Sequence, residues 1–487
     1  MKRTLALALL AIVTWGTTAQ AKLSVKQPCS DGMVLQQKTE ALVWGHGDSN
    51  SKISVTTSWN GKSYNTTTDT KGVWKVKVKT PEAGYTAYEI NVHESIGQDT
   101  DDLTIKNVLV GEVWLASGQS NMEMPIRGFF NCPVEGAADV VSAPAMRNKI
   151  RMLTVKIIQP NEPLDDVAET DGWQGADAST VSEMSATAYF FARQLNSTLD
   201  IPIGIVAFPR GGARVESWMP KEMVEKYGTE DLTQEGVNKM AEYLRPFQMY
   251  NGMQHPIQGY TAKGFIWYQG CSNVGKHDQF VARMTDLVAR WRQDWGDKNN
   301  SMPFYQVEIA PYRYNSSEQS NNGALLRQAQ HEAAEKIPNS AIIVTNDLAY
   351  SYETDQIHPA QKRQVGERLA RLALHRDYGY DKVACYSPKA LRAYKTKNDD
   401  EIFVEFSNCD NGLDRWQEIE GLEVCGSEHI FKPVTYAHYE WEPRGLRIRC
   451  EGVWDPCEVR YGWGDFKPGN LHNCEGLPVT PFDIKLQ

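Results

Sequence analysis

Four short segments of the 487-residue chain hold residue types that together could carry out acyl transfer. Ser117-Gly118-Gln119-Ser120-Asn121-Met122 offers a hydroxyl, and Pro209-Arg210-Gly211-Gly212 offers backbone N–H groups beside glycine. Tyr268-Gln269-Gly270 offers an amide, and Asp355-Gln356-Ile357-His358-Pro359 offers an acid with a histidine. A serine hydroxyl is a weak nucleophile until a base takes its proton, and imidazole is the side chain best suited to that near neutral pH. A carboxylate that orients the imidazole completes the relay, and backbone or amide donors stabilise the oxyanion. This chemistry needs no metal and no organic cofactor, and the chain lacks the GxGxxG loop that nucleotide cofactors use. Asp355 and His358 lie three residues apart, so one local turn can present both to a remote serine. Each segment alone is also what a turn serine or a surface Asp and His would look like. Only their joint placement gives them weight.

That placement comes from the elements they follow. The runs NVLVGEVWLASG, IPIGIVAF, GFIWYQG and SAIIVTND are short, apolar and continuous, as strands of a buried parallel sheet are. Between them, SATAYFFARQLNSTL, HDQFVARMTDLVARWRQDW and GALLRQAQHEAAEKI repeat apolar residues at three and four positions, a helical period. The alternation predicts a doubly wound α/β domain over residues 106–378, with a helical excursion near 219–255. Such a sheet binds ligands at the carboxyl ends of its strands, where three of the four segments directly follow a strand-like run and the fourth follows a later loop. Residues 22–105 alternate by twos, as in KISVTTSW and VWKVKVKT, and predict a small β-sandwich. Alternation by twos returns in EIFVEFSN and GLRIRCEG, so residues 379–487 are expected to be β-rich.

The first 21 residues read as a secretory signal peptide: Lys2 and Arg3, an apolar stretch, then Ala19-Gln20-Ala21. The expected destination is a periplasm or the exterior. No later stretch is apolar for long enough to span a membrane, so no membrane insertion is expected after signal removal. A net charge of −10 without any compensating block of Lys or Arg excludes nucleic acid as a partner. The 14 Trp and 21 Tyr fit β-domain cores first and carbohydrate contacts second. Six of nine cysteines fall after residue 380, which suggests one to three disulfides there and leaves at least one thiol unpaired. The CxxC and HxxxH spacings favoured by zinc are missing, so no metal is expected.

Taken together, the four blocks resemble the SGNH hydrolases and, within them, the sialate O-acetylesterases. GEVWLASGQSNMEMP is similar to that family's nucleophile block, GGARVESWMP to its oxyanion-glycine block, WYQGCSN to its third block and DQIHPAQKRQVGERLA to its acid-histidine block. The early DGMVLQQKTEALVWGHG and the late EVRYGWGDFKPGNLHNCEGLPVTPF extend the resemblance over nearly the whole mature chain. It implies an SGNH-like catalytic domain flanked by N-terminal and C-terminal β domains. It implies Ser120 as nucleophile, His358 as general base and later acid, and Asp355 as the orienting carboxylate. The implied oxyanion donors are the N–H groups of Ser120 and Gly212 and the amide of Gln269, with Gly212 preferred to Gly211 because it starts the turn into ARVESW. Arg210 and Arg214, and Asn121 beside the serine, are candidates for binding substrate; structural salt bridging is an equal alternative for the arginines. Glu216 and Trp218 match the family's IExW stretch, where a packing role is expected.

One position departs from the pattern. Cys271 stands where the family's WYQGES has glutamate, and it could pair with Cys132 in GFFNCPVEG or remain a free thiol. The implied reaction is removal of O-acetyl groups from a sugar or glycan. Sialic acids are the first expectation for that sugar, and acetylxylan or another hemicellulose is the alternative. A non-catalytic glycan-binding protein would be expected to show a degraded triad, whereas Ser120, His358, Asp355 and Gln269 are all present.

Overall fold

The computed structural model describes residues 22–317, 320–397, 401–414 and 416–487. The expected signal peptide, residues 1–21, lies outside the described residues. The catalytic sheet is built from β1 (Asp99–Gly118), β2 (Met146–Val155), β3 (Thr170–Ala176), β4 (Ile203–Ala207), β5 (Gly264–Tyr268), β6 (Phe304–Val307) and β7 (Ser340–Ile343). Their order across the sheet is β3-β2-β4-β1-β5-β6-β7, with β3 antiparallel at the edge and every other neighbouring pair parallel. Strand order reverses around β1, so the crevice of a doubly wound sheet opens at the carboxyl ends of β4, β1 and β5.

Strand side chains alternate between faces, and each face is covered by helices. Val113, Leu115, Phe265, Trp267 and Phe304 join one core, while Trp114, Ala116, Ile266, Tyr268 and Tyr305 join the other. Helices α2 (Ala186–Leu199) and α5 (Lys362–Asp377) cover the second face through Phe190, Phe191, Leu195, Leu369 and Leu372. Helices α3 (His277–Asp294) and α4 (Asn322–Lys336) cover the first through Met284, Leu287, Trp291, Leu326 and Ala333. A four-residue helix, α1 (Ser120–Glu123), begins where β1 ends. The excursion at 219–255 contains the short helices Lys221–Tyr227 and Gln234–Lys239.

The boundary expected near residue 105 falls inside β1. The first part of that strand pairs antiparallel with Gly84–Ile96 in the N-terminal sheet, and its last part pairs with β4 and β5. Leu23, Val43 and Trp74 of the N-terminal region share a single core with Trp267 and Trp291. The C-terminal region forms two four-stranded antiparallel sheets over a separate core that includes Val404, Val424 and Ile448. It docks on the catalytic domain through Asp465, which accepts the Gly323 N–H at 2.7 Å, and through the buried Asp347, which holds Arg368 and meets His472 at 2.9 Å. All nine cysteines are free, in contrast to the bridges expected in the C-terminal region. Among the described residues, no helix is long and apolar enough to cross a membrane.

Candidate active site

The serine is placed by a tight exit from β1. Gly118 has φ +131°, and a Cβ there would lie 2.2 Å from the Tyr268 carbonyl oxygen, so a residue with a side chain does not fit. The Gln119 N–H donates to that carbonyl at 2.8 Å, and the Gln119 side-chain oxygen accepts the Gly270 N–H at 2.8 Å. These two bonds tie the ends of β1 and β5 and set Ser120, half-buried, at the start of α1. The start of α2 supports α1 from below. Ser185 caps α2 by accepting from the Ala188 N–H and donates its hydroxyl to the Met122 carbonyl at 2.6 Å, and Thr187 donates to the Asn121 carbonyl at 3.1 Å.

The glycine turn after β4 comes directly against the serine. A Cβ on Gly211 would stand 3.5 Å from the Ser120 Cβ and 3.0 Å from a Glu123 carboxylate oxygen. The Gly211 N–H is already donated to Glu123. Gly212 sits at φ +74°, and among the described residues neither its N–H nor that of Ser120 finds an acceptor in the turns and loops. Both N–H groups are therefore left for another acceptor. Gln269 differs from expectation: its amide nitrogen donates to the Ala213 carbonyl at 3.2 Å and to Asn273 Oδ1 at 2.7 Å. Both amide protons are thus spent on the frame, because a buried carbonyl and a buried amide oxygen at hydrogen-bond range claim them. Asn273 passes the support onward. It accepts the Val215 N–H at 3.1 Å and donates to Glu216, which is ion-paired with buried Arg283.

The histidine reaches the serine through a bond between their neighbours. The Asn121 amide donates to the Ile357 carbonyl at 3.0 Å, so the residue after Ser120 holds the residue before His358. Asn121 is buried, and while its amide nitrogen holds Ile357, its Oδ1 is buried without a partner. His358 Nε2 is buried and unpartnered. Its Nδ1 lies 3.9 Å from the Cys132 Sγ, and the Phe129 ring packs edge-on at 5.2 Å between centroids. Burial first, and then the Lys362 ammonium, push the His358 pKa down to about 4, so the imidazole is neutral at neutral pH. Asp355 points elsewhere. Its carboxylate is 66% exposed and pairs with Arg313, itself 48% exposed, because water and a guanidinium offer an ionised oxygen more than the apolar surroundings of the imidazole do.

The two candidate arginines separate cleanly. Arg214 is buried against Glu230 at 7% exposure and donates to the Leu244 carbonyl at 2.6 Å, so the buried carboxylate claims it and it is not available to substrate. Arg210 has no ion pair among the described residues, and its Nε is buried without a partner. Its charge acts on Glu123, whose pKa burial nevertheless raises. Cys271 is a free thiol that accepts from the Tyr314 hydroxyl at 3.2 Å, with its pKa pushed up to about 11 by burial.

Three neighbours of the site escaped the sequence reading, and a fourth, Cys132, entered it only as a possible partner of Cys271. Glu123 could have been found, since it lies one helical turn after Ser120 on the same face. Lys362, four residues past His358, is fully buried with its pKa pushed down to about 7 by burial, and nothing in its local sequence marks that. Cys132 and Tyr243 come from insertions. The Tyr243 ring covers Gly212, where a Cβ would meet it at 2.5 Å, and the residue is 45% exposed. Among the described residues, the side chains close enough to share a metal ion lie outside this site, in the C-terminal sandwich.

Comparison with known proteins points the same way as the geometry. Residues 110–375 match the family described as carbohydrate esterase, sialic acid-specific acetylesterase. The sialate O-acetylesterase of Mus musculus is 28% identical, with 92% of each chain covered. That of Homo sapiens is 26% identical, covering 93% of this chain and 91% of its own. Among solved structures, a carbohydrate acetylesterase from Xanthomonas citri superposes with a TM-score of 0.81 at 30% identity, covering 95% of this chain and 99% of its own.

Proposed function

Because the chain belongs to the carbohydrate esterase family of sialic acid-specific acetylesterases, hydrolases of ester bonds, we propose that it removes O-acetyl groups from sialic acids through a serine acyl-enzyme. The observation that carries this reading is the 3.0 Å bond from Asn121 to the Ile357 carbonyl, which brings the Ser120 and His358 segments together at one strand end. His358 takes the Ser120 proton as the hydroxyl oxygen attacks the acetyl carbonyl, and the N–H groups of Ser120 and Gly212 receive the oxyanion. The tetrahedral adduct collapses, the sugar oxygen leaves with the proton from His358, and acetyl remains on Ser120. Water then gives its proton to His358 and its oxygen to the acetyl carbon, which releases acetate and restores the serine.

Asp355 orients the imidazole in this scheme. Its present pair with Arg313 is solvent-exposed, and such pairs are worth roughly 0–1 kcal/mol, so exchanging that partner for a charged imidazolium costs little. Arg210, unpaired beside the glycine turn, receives the substrate carboxylate, a group that suits the planar guanidinium fork. The strand order and the position of Ser120 after β1 support an SGNH-type catalytic domain over residues 106–378. The Lys2-Arg3 start and the Ala19-Gln20-Ala21 pattern support export to a periplasm or beyond.

The test is turnover of p-nitrophenyl acetate by the wild type and Ser120→Ala, where the serine mechanism expects loss of at least about a thousandfold and equal rates would remove it. Substrate identity is read from acetate release on 9-O-acetyl sialic acid, 4-O-acetyl sialic acid and acetylated xylan. Arg210→Ala is expected to raise KM about tenfold or more on the sialic acids while leaving p-nitrophenyl acetate turnover within about threefold. A second reading, an acetylesterase of other carbohydrates, has support from the Xanthomonas citri enzyme, whose description names carbohydrate without sialic acid. Faster release from xylan than from either sialic acid would favour it.

A further inference from the structure

Two cysteines of the C-terminal sandwich are brought together by a break in strand register. Cys425 lies in β8 (Leu422–Gly426) and Cys457 in β9 (Pro456–Tyr461), which pair antiparallel. Cys425 stands opposite Glu458 and Gly426 opposite Pro456, so Cys457 is the extra residue of a β-bulge. A bulge sets two residues of one strand against one of the other, and here it turns both sulfurs to the same place, 3.9 Å apart. The chain after Cys425 then folds back: the His429 N–H donates to the Gly426 carbonyl at 2.9 Å, with His429 in the left-handed region at φ +54°. That conformation is uncommon for a side-chain-bearing residue, and it returns the imidazole to the sulfurs. One ligand atom from each of Cys425, His429 and Cys457 lies within 4.8 Å of the other two. A Glu458 carboxylate oxygen is 3.8 Å from His429 Nδ1.

We propose that Cys425, Cys457 and His429 bind one zinc ion that clips β8 to β9, with Glu458 beside the imidazole. The spacing fits two ligands on a shared ion and not a formed disulfide. A disulfide needs sulfurs about 2.05 Å apart, whereas two thiolates on a tetrahedral zinc, each about 2.3 Å from the ion, stand about 3.8 Å from one another. Two sulfurs and one imidazole are ligand types that zinc favours, and the exposed side of the site leaves its fourth position to water. The sequence hid it because the ligands follow a Cys-x3-His spacing and are completed by a residue of the neighbouring strand, which CxxC and HxxxH patterns do not describe.

The experiment is metal analysis of the purified full chain after exhaustive dialysis, followed by replacement of the bound ion with cobalt(II). About one zinc per chain is expected, and cobalt should give thiolate charge-transfer absorption with the visible bands of a tetrahedral ion. The Cys425→Ser/Cys457→Ser double variant should lose both signals. His429 is exposed, so His429→Ala keeps the test open if the double variant does not fold. It should weaken zinc binding by more than the roughly 10- to 100-fold that loss of an outer-shell partner costs, with p-nitrophenyl acetate turnover unchanged. The proposal is overturned by a chain without zinc, by a Cys425–Cys457 disulfide in non-reducing peptide maps, or by zinc that persists unchanged in these variants.

Discussion

Burial does at His358 what a catalytic base requires, since it keeps the imidazole uncharged. Charging it in that pocket is opposed first by desolvation and then by Lys362, which is protonated at acid pH, and together they hold its pKa at about 4. A base must be neutral to accept a proton, so activity is retained above that pKa and lost as pH falls through it. The acid limb of kcat/KM, which reports the free enzyme, is therefore expected near pH 4, and Lys362→Met should move it upward. A wild-type limb at 6.5 or higher would contradict this environment. Asp355 is tested at the same scale: Asp355→Asn should lower kcat by on the order of 10³ to 10⁴ if it orients the imidazole, while Arg313→Ala changes kcat by less than about threefold. A loss of only about twofold in Asp355→Asn would leave a Ser120–His358 dyad. Residue types and their places after strands and loops brought the Ser120, Gly211-Gly212 and His358 segments into view as one candidate site. The turn of Asp355 toward Arg313, the commitment of Gln269 to Ala213 and Asn273, and the lock of Arg214 on Glu230 were not, because each depends on who is buried beside whom.

At the scale of elements, the site depends on how closely β1 passes β5. Gly118 combines a left-handed φ with a backbone oxygen where a Cβ would be. Gly118→Ala is expected to cost about 3 kcal/mol or more, from strain and displacement together, read as a lower urea midpoint at unchanged slope. An effect below about 1 kcal/mol would mean that the exit from β1 is free to move. Strands and helices were legible because their periods differ and each apolar run is short. The boundary expected near residue 105 lies within a continuous strand for a physical reason. The alternating pattern of β1 becomes continuous where the strand passes from a sheet solvated on one side to a sheet covered on both, and the backbone runs on without a turn.

For the whole molecule, the catalytic and C-terminal regions meet through buried polar groups that no local pattern announces. Arg368 donates to the Asp347 carboxylate at 2.7 and 2.6 Å, and His472 reaches it at 2.9 Å from a distant part of the chain. Asp347→Ala leaves Arg368 buried without its counter-ion and is expected to cost about 3–5 kcal/mol. A thermal melt would show it as a clear drop in Tm, and an unchanged Tm would mean that the docking surface relaxes around the loss. The N-terminal region is joined differently, since one unbroken strand serves both its sheet and the catalytic one. That continuity removes it from the stock of exchangeable modules. A recombination break near residue 105, by nature or by an engineer, cuts the strand that ends at the nucleophile, so this region and the catalytic sheet can be inherited, trimmed or grafted only as one piece.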